Sequence, residues 1–369
     1  MNVSTSAWLR LNRSLSLAAS WADSTFSEAR DQLQSSFRRV VASPRTKESL
    51  EIEDLTERVA TRLAETSTAL ARRLRRDRRI LSITLEQVWG DAFQAYDAVA
   101  YASYELGASW AEGHQSPARP LVWSTLLDLH SRACLVASEI AALHRTGFPA
   151  GATARWRSLH ELAVIALVLQ GADEEITERY RDREAIEHHE DAREYQSHAS
   201  ALGYSPLSDD ELRLLSERHD AVVAKWGKAI KAPNGWALPL APGFGSVGVG
   251  KLEEIAGVEH LAPFYLLGNH AVHGGPRASS LQRVEINGVQ YRTPGATVFG
   301  DIAETAHGAL ISLHQINCAL LSERCRTDDL NSQVVITAGA IGELVERAGP
   351  VFGRAADVAR SKGWFSHRP

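Results

Sequence analysis

ARWRSLHELAVIALVLQ, residues Ala154–Gln170, is the stretch whose reading decides the fold. From Leu159 onward its apolar residues occupy every side of a helical wheel, so this helix has to be wrapped by other helices rather than laid on a surface. Arg155, Arg157, His160 and Glu161 enter that core in the first turns. Charges in such a place are paired, solvated or used. Arg157 and Glu161 stand four apart and are neighbours on the helix, but an arginine near the N-terminus opposes the macrodipole and Arg before Glu is the weaker order. The sequence therefore asks for a compensating group from outside the helix, either a carboxylate on a neighbour or an anionic ligand.

Working outward, Pro120 to His144 reads as a helix stopped at Gly147, which makes an antiparallel hairpin with the central helix across the turn FPAGAT. Further upstream, Glu48 to Arg79 carries one apolar stripe, Ile52, Leu55, Val59, Leu63, Leu70 and Leu74. Acids fill its first half and arginines 72, 73, 75, 76, 78 and 79 its second, a pattern suited to a helix with both dipole ends neutralised. Thr84 with Gln87 fits a capping box opening another helix to about Trp110. Residues 1–45 are Ser-rich and weakly periodic, and read as a loosely ordered segment.

Downstream, residues 173–202 are strongly charged and cover the bundle, and Ser208 with Glu211 caps a helix to about Ile230. KAPNGWALPLAPGFGSVGVG, from Lys231, is a candidate lid or a surface excursion stapled by Trp236 and Phe244. A helix from Leu261 closes in GNHAVHGG. VEINGVQYR, near 284–292, places Asn287-Gly288 between alternating apolar residues, the strongest hairpin signal in the chain. A helix from about Val298 to Glu323 follows, then one or two short helices separated at Gly349-Pro350. The expectation is a mainly α, all-α multi-helix bundle over 116–330, with a helical N-terminal arm over 46–115, one small β-hairpin insertion, and short helices and a tail over 331–369.

At 369 residues, 44% of them apolar, the chain can bury a large core, and a formal charge of -5 argues against a protein that coats nucleic acid generally. Cys134, Cys318 and Cys325 have no metal-ligand spacing and read as reduced, buried thiols, which points to the cytoplasm. No stretch approaches a membrane span or a signal peptide. Walker A, G-x-G-x-x-G and G-x-S-x-G patterns are absent, so no cofactor is expected.

Two further groups of residues carry chemistry. Asn269, His270 and His273 close their helix, where the dipole favours a charged imidazole that either caps carbonyls or moves protons. Glu304-x-x-His307 has the spacing of di-metal helical bundles, but such bundles need a second copy of the motif, so no metal is expected.

RWRSLHELAV, the charged helix after it and YLLGNHAVHG together resemble an uncharacterised bacterial helical family, domain-of-unknown-function family 5677, over about residues 85–325. That resemblance implies an Arg-x-x-x-Glu helix, here Arg157 with Glu161, and a histidine closing a later helix, here His273. A more distant architectural resemblance is to HEPN proteins, helical bundles that often act as metal-independent RNases in defence. It rests on the Arg155 to His160 spacing, although Trp156 stands where those proteins carry a polar residue, and several other Arg-to-His pairs here share the spacing.

The HEPN comparison implies a cytosolic protein acting on RNA or a nucleotide. Arg155, Arg157, Asn269 and His270 would then hold phosphate, and His273, His160 and Glu161 would carry proton transfer. Homo-oligomers are open. The competing reading is a non-enzymatic helical sensor or scaffold in which the same charges form a closed network, and a metal-dependent helical enzyme is a third.

Overall fold

The computed structural model describes residues 47–111, 119–280, 283–286, 289–323 and 328–364. The chain divides into two compact units, residues 1–81 and 82–369. The expected N-terminal segment, 1–45, lies outside the described residues.

Helix α1 (Lys47–Ala111) runs through residues 80–87 without interruption. Thr84 and Gln87 are therefore interior positions rather than a capping box, and the arginine run 72–79 is mid-helix rather than a neutralised C-terminus. The reason is local: nothing between Ile80 and Thr84 breaks a helix, and helix formers continue on both sides. In the first unit the stripe faces outward, with Leu63, Leu70 and Leu74 all exposed. In the second unit the same helix turns Leu85, Trp89, Phe93, Tyr96 and Val99 inward, and the Tyr96 hydroxyl donates to the Ala137 carbonyl at 2.9 Å.

α2 (Pro120–Arg145) and α3 (Pro149–Gly171) form the expected hairpin. Each begins with proline in its first turn, and Gly147 takes a positive φ of 81° between them. α3 is the centre of the second unit. It buries Trp156, Leu159, Leu162, Val164, Val168 and Leu169 on all sides, between α2, α9 (Ala303–Ser322), α6 (Val249–Ala256) and α7 (Ala262–Val272). Arg119 ties off its C-terminus, donating to the Gln170 carbonyl at 2.8 Å and the Ala172 carbonyl at 2.5 Å while pairing with buried Glu323.

α4 (Glu174–Leu202), capped by Asp173, packs on α5 (Asp209–Trp226), which opens with the Ser208–Glu211 capping box. The segment after α5 folds into tight turns held on α4. Arg183 donates to the Ile230 carbonyl at 2.7 Å and also to Ala232, Arg179 donates to the Trp236 carbonyl at 3.3 Å, and Tyr180 meets Trp236 edge-on. Trp236 is the buried staple; Phe244, its expected companion, is exposed.

Gly235 is fixed by close approach, since a Cβ there would lie 2.7 Å from the Ile230 carbonyl oxygen and 2.8 Å from its carbon. Backbone cannot yield as a side chain does. Gly235→Ala should therefore lower stability by about 2–3 kcal/mol in urea unfolding, and an unchanged midpoint would show that these turns reorganise freely.

β1 (Arg283–Ile286) and β2 (Val289–Arg292) pair antiparallel, Arg283 with Arg292 and Ile286 with Val289, after the short helix α8 (Pro276–Ser280). The Asn287-Gly288 turn itself lies outside the described residues. The C-terminal region is a single helix, α10 (Asp328–Ser361), with Pro350 inside it, not two short helices broken at Gly349. Packing on α9 supplies what the local sequence lacks. Gly349 leaves room for the His307 ring, whose Cε1 would be 3.1 Å from a Cβ there, and His307 Nε2 lies 3.2 Å from the Val345 carbonyl oxygen. The whole is mainly α-helical with one two-stranded hairpin.

Candidate functional site

The charges at the head of α3 meet two later helices. α7 comes close because Gly268 has no side chain: a Cβ there would lie 3.2 Å from the Arg157 Cβ and 3.5 Å from the Thr153 carbonyl oxygen. One helical turn before that contact and one residue after it, Tyr265 and Asn269 reach Arg157. Its Nε donates to Asn269 Oδ1 at 2.5 Å, and its terminal nitrogen donates to the Tyr265 hydroxyl at 2.7 Å and to Glu161 at 2.8 Å. The Tyr265 hydroxyl in turn donates to Glu161 Oε1 at 2.5 Å, and the guanidinium sits 4.9 Å from the Tyr265 ring centre. Burial, and the hydrogen bond to Glu161, push the Tyr265 hydroxyl up to about 12, so it remains a donor across the physiological range.

His160, on the adjoining face, forms a second, fully enclosed pair. Its Nε2–H donates to Glu253 Oε1 at 2.8 Å, with the two side chains 0% and 2% exposed. Trp156 stacks on the imidazole at 5.6 Å and Tyr265 lies 5.8 Å away at a tilt. Desolvation lowers the His160 pKa, opposed by the bond to Glu253. Nδ1 has no hydrogen-bond partner among the described residues.

The structure thus brings Arg157, Glu161 and Asn269 into one cluster, with His160 beside it across Tyr265. Arg155 points elsewhere, to Glu139 on α2 at 2.5 Å. His270 is half-buried and His273 exposed at the end of α7, where the His273 backbone N–H donates to the Asn269 carbonyl at 3.0 Å. Neither imidazole has a hydrogen-bond partner among the described residues. His307, from the Glu-x-x-His pattern, is engaged by the backbone of α10, and among the described residues no three His, Cys, Asp or Glu side chains converge as metal ligands.

Two members of the cluster were missed by sequence reasoning, Glu253 and Tyr265. A signal for Glu253 existed: in VGKLEEIA it falls at helical spacing from Val249 and Ala256 and beside buried Leu252, an acid on an apolar face. Tyr265 stands four before Asn269 with Gly268 between them in the close approach, but nothing in YLLGN distinguishes it from a core aromatic. The described thiols are half-buried rather than fully buried, yet burial raises the Cys134 pKa to about 11 and also raises that of Cys318, which makes both poor nucleophiles. Cys325 lies outside the described residues.

No curated protein and no solved structure matches this chain. Residues 124–287 match a family of unknown function, DUF5677, and that span holds Glu139, Arg157, His160, Glu161, Glu253, Tyr265 and Asn269. From within α2 to just beyond β1, the chain is therefore similar to the family of unknown function DUF5677.

Proposed function

We propose that residues 82–369 form a non-enzymatic helical scaffold or sensor domain, in which the polar cluster at the head of α3 is a brace that fixes α6 and α7 to the central helix. One observation carries this reading: each charge entering α3 already has a protein counter-group. Arg155 has Glu139, Arg157 has Glu161 with Asn269 and Tyr265, and His160 has Glu253. A phosphate at Arg157 would stand beside the Glu161 carboxylate already paired with it, and the two anions repel. His160 meets no solvent, so it reaches no substrate unless α6 lifts away. The reading places the protein in the cytoplasm, where half-buried, unlinked thiols such as Cys134 and Cys318 persist. Among the described residues no helix is long and apolar enough to cross a membrane.

The second reading is the HEPN-like one, an enzyme acting on RNA or a nucleotide in defence. It has one observation in its favour. The Arg157–Glu161 pair is only partly covered, at 23% and 31% exposure, and α7 carries the unengaged His270 and exposed His273 beyond Asn269. On that reading Arg155, Arg157, Asn269 and His270 hold phosphate, and His273 serves proton transfer.

Incubation with total RNA separates the two. The brace predicts no cleavage by wild type, Arg157→Ala or His273→Ala. Cleavage by wild type that His273→Ala abolishes, with the thermal unfolding midpoint unchanged, would replace it with the nuclease reading.

A further inference from the structure

The first unit presents an apolar stripe on α1 with a regular spacing. Leu55, Val59, Leu63, Thr66, Leu70 and Leu74 follow one another at intervals of four, four, three, four and four residues. That is an eleven-residue repeat, close to 3.67 residues per turn, so the stripe runs nearly straight along the helix. Its large members are uncovered: Leu63, Leu70 and Leu74 are 43%, 47% and 46% exposed. Three leucines in line on one face of a helix are what the seam of a coiled coil is built from.

Charge says what covers the seam. Residues 48–57 carry Glu48, Glu51, Glu53, Asp54 and Glu57, whereas residues 72–79 carry six arginines and a single acid, Asp77. Asp77 is held within its own helix, 3.8 Å from Arg73. Helices in a seam lie about 8–10 Å apart, within roughly a Debye length at physiological salt. A parallel second copy would set arginine block on arginine block. An antiparallel one sets acid beside arginine at both ends.

From Leu55 to Leu74 the spacing is palindromic as well, while Ile52, at the outer end of the stripe, falls level with Asp77. With a two-fold axis between Ala64 and Glu65, Leu55 falls opposite Leu74 of the second copy, Val59 opposite Leu70, and Leu63 opposite Thr66. The register that matches the apolar rows is the one that matches the charge blocks, with Asp54 level with Arg75 and Glu57 level with Arg72. Two independent features of the sequence, spacing and charge, therefore select one partner and one alignment.

We infer that residues 48–79 pair with the same segment of a second copy of this chain in an antiparallel coiled coil centred between Ala64 and Glu65. The isologous contact closes on itself, which gives a dimer rather than a filament. It is independent of the reading of the α3 cluster.

The test uses the full chain. Sedimentation equilibrium at micromolar concentration should give the dimer mass. Leu70→Glu with Leu74→Glu, whose sites are already exposed, should raise the dissociation constant at least about tenfold while the far-ultraviolet circular dichroism is retained. For orientation, Leu55→Cys and Leu74→Cys are made separately in a chain whose three native cysteines are alanine. In the antiparallel register the like positions lie ~28 Å apart at 1.5 Å per residue, so only the mixture should form a disulfide-linked dimer on mild oxidation. A monomer at all concentrations, as when a segment of the same chain or an unrelated protein covers the stripe, overturns the proposal. So does a dimer indifferent to the two glutamates, or crosslinking of each variant alone.

Discussion

His160→Ala should lower the unfolding free energy by about 3–5 kcal/mol, because it leaves a carboxylate buried without its partner. Glu253 is 1% exposed, and its Oε1 is bonded to His160 Nε2 with Trp156 stacked on the imidazole. Removing the ring takes away the donor and opens a cavity beside Trp156, and α6 loses a charged contact that seats it on α3. Glu253→Gln keeps an acceptor for Nε2–H in a side chain of the same size, and should cost less than about 1.5 kcal/mol. Urea unfolding of the two variants reads the difference. If His160→Ala costs no more than Glu253→Gln, the pair is not what holds α6.

The second large effect is a loss of stability in acid. His144 is almost wholly buried at the end of α2, neither ring nitrogen has a partner among the described residues, and burial, helped by the neighbouring Arg145 charge, lowers its pKa to about 3. Burial also lowers His130, His160 and His314. The unfolded chain takes up protons near pH 6.5, before the folded chain does, so the stability these groups contribute is complete above about 6.5 and drains as pH falls, for His144 down to about 3. Each such histidine gives a slope of about 1.4 kcal/mol per pH unit within its window, so His144 alone accounts for about 2 kcal/mol between pH 6.5 and 5. His144→Leu removes two unsatisfied polar atoms at similar volume, and should flatten the pH dependence and raise the stability at pH 5 by about that amount. Superimposable pH profiles for wild type and variant would show that His144 protonates freely in the folded protein.

How much of this was legible depended on whether local chemistry or distant packing set each feature. The α2–α3 hairpin could be read because Pro120, Gly147 and Pro149 punctuate it, and the α5 start because Ser208 and Glu211 satisfy each other's backbone groups within four residues. The Arg157–Glu161 puzzle was legible as a demand for outside help, but not its answer. Tyr265 and Glu253 lie about a hundred residues away and are placed by a close approach at Gly268 and by a buried face on a two-turn helix. The run of α10 through Pro350 was hidden for the same reason, since α9 packs along it where local propensity says stop. Thr84 with Gln87 misled in the opposite direction. A capping box needs a chain that enters the helix there, and the helix was already formed.

The charges at the head of α3 are a brace or a binding site, and the two differ in the sign of a stability change. Groups kept for ligand binding are commonly neutral or destabilising in the empty protein, whereas a brace stabilises it. The most direct measurement is therefore the unfolding free energy of Arg157→Met in denaturant, without ligand. With Asn269, Tyr265 and Glu161 each losing the bond to Arg157 at a site one quarter exposed, although Tyr265 and Glu161 keep the bond to each other, the brace predicts a loss of about 2 kcal/mol. Unchanged or increased stability would contradict it.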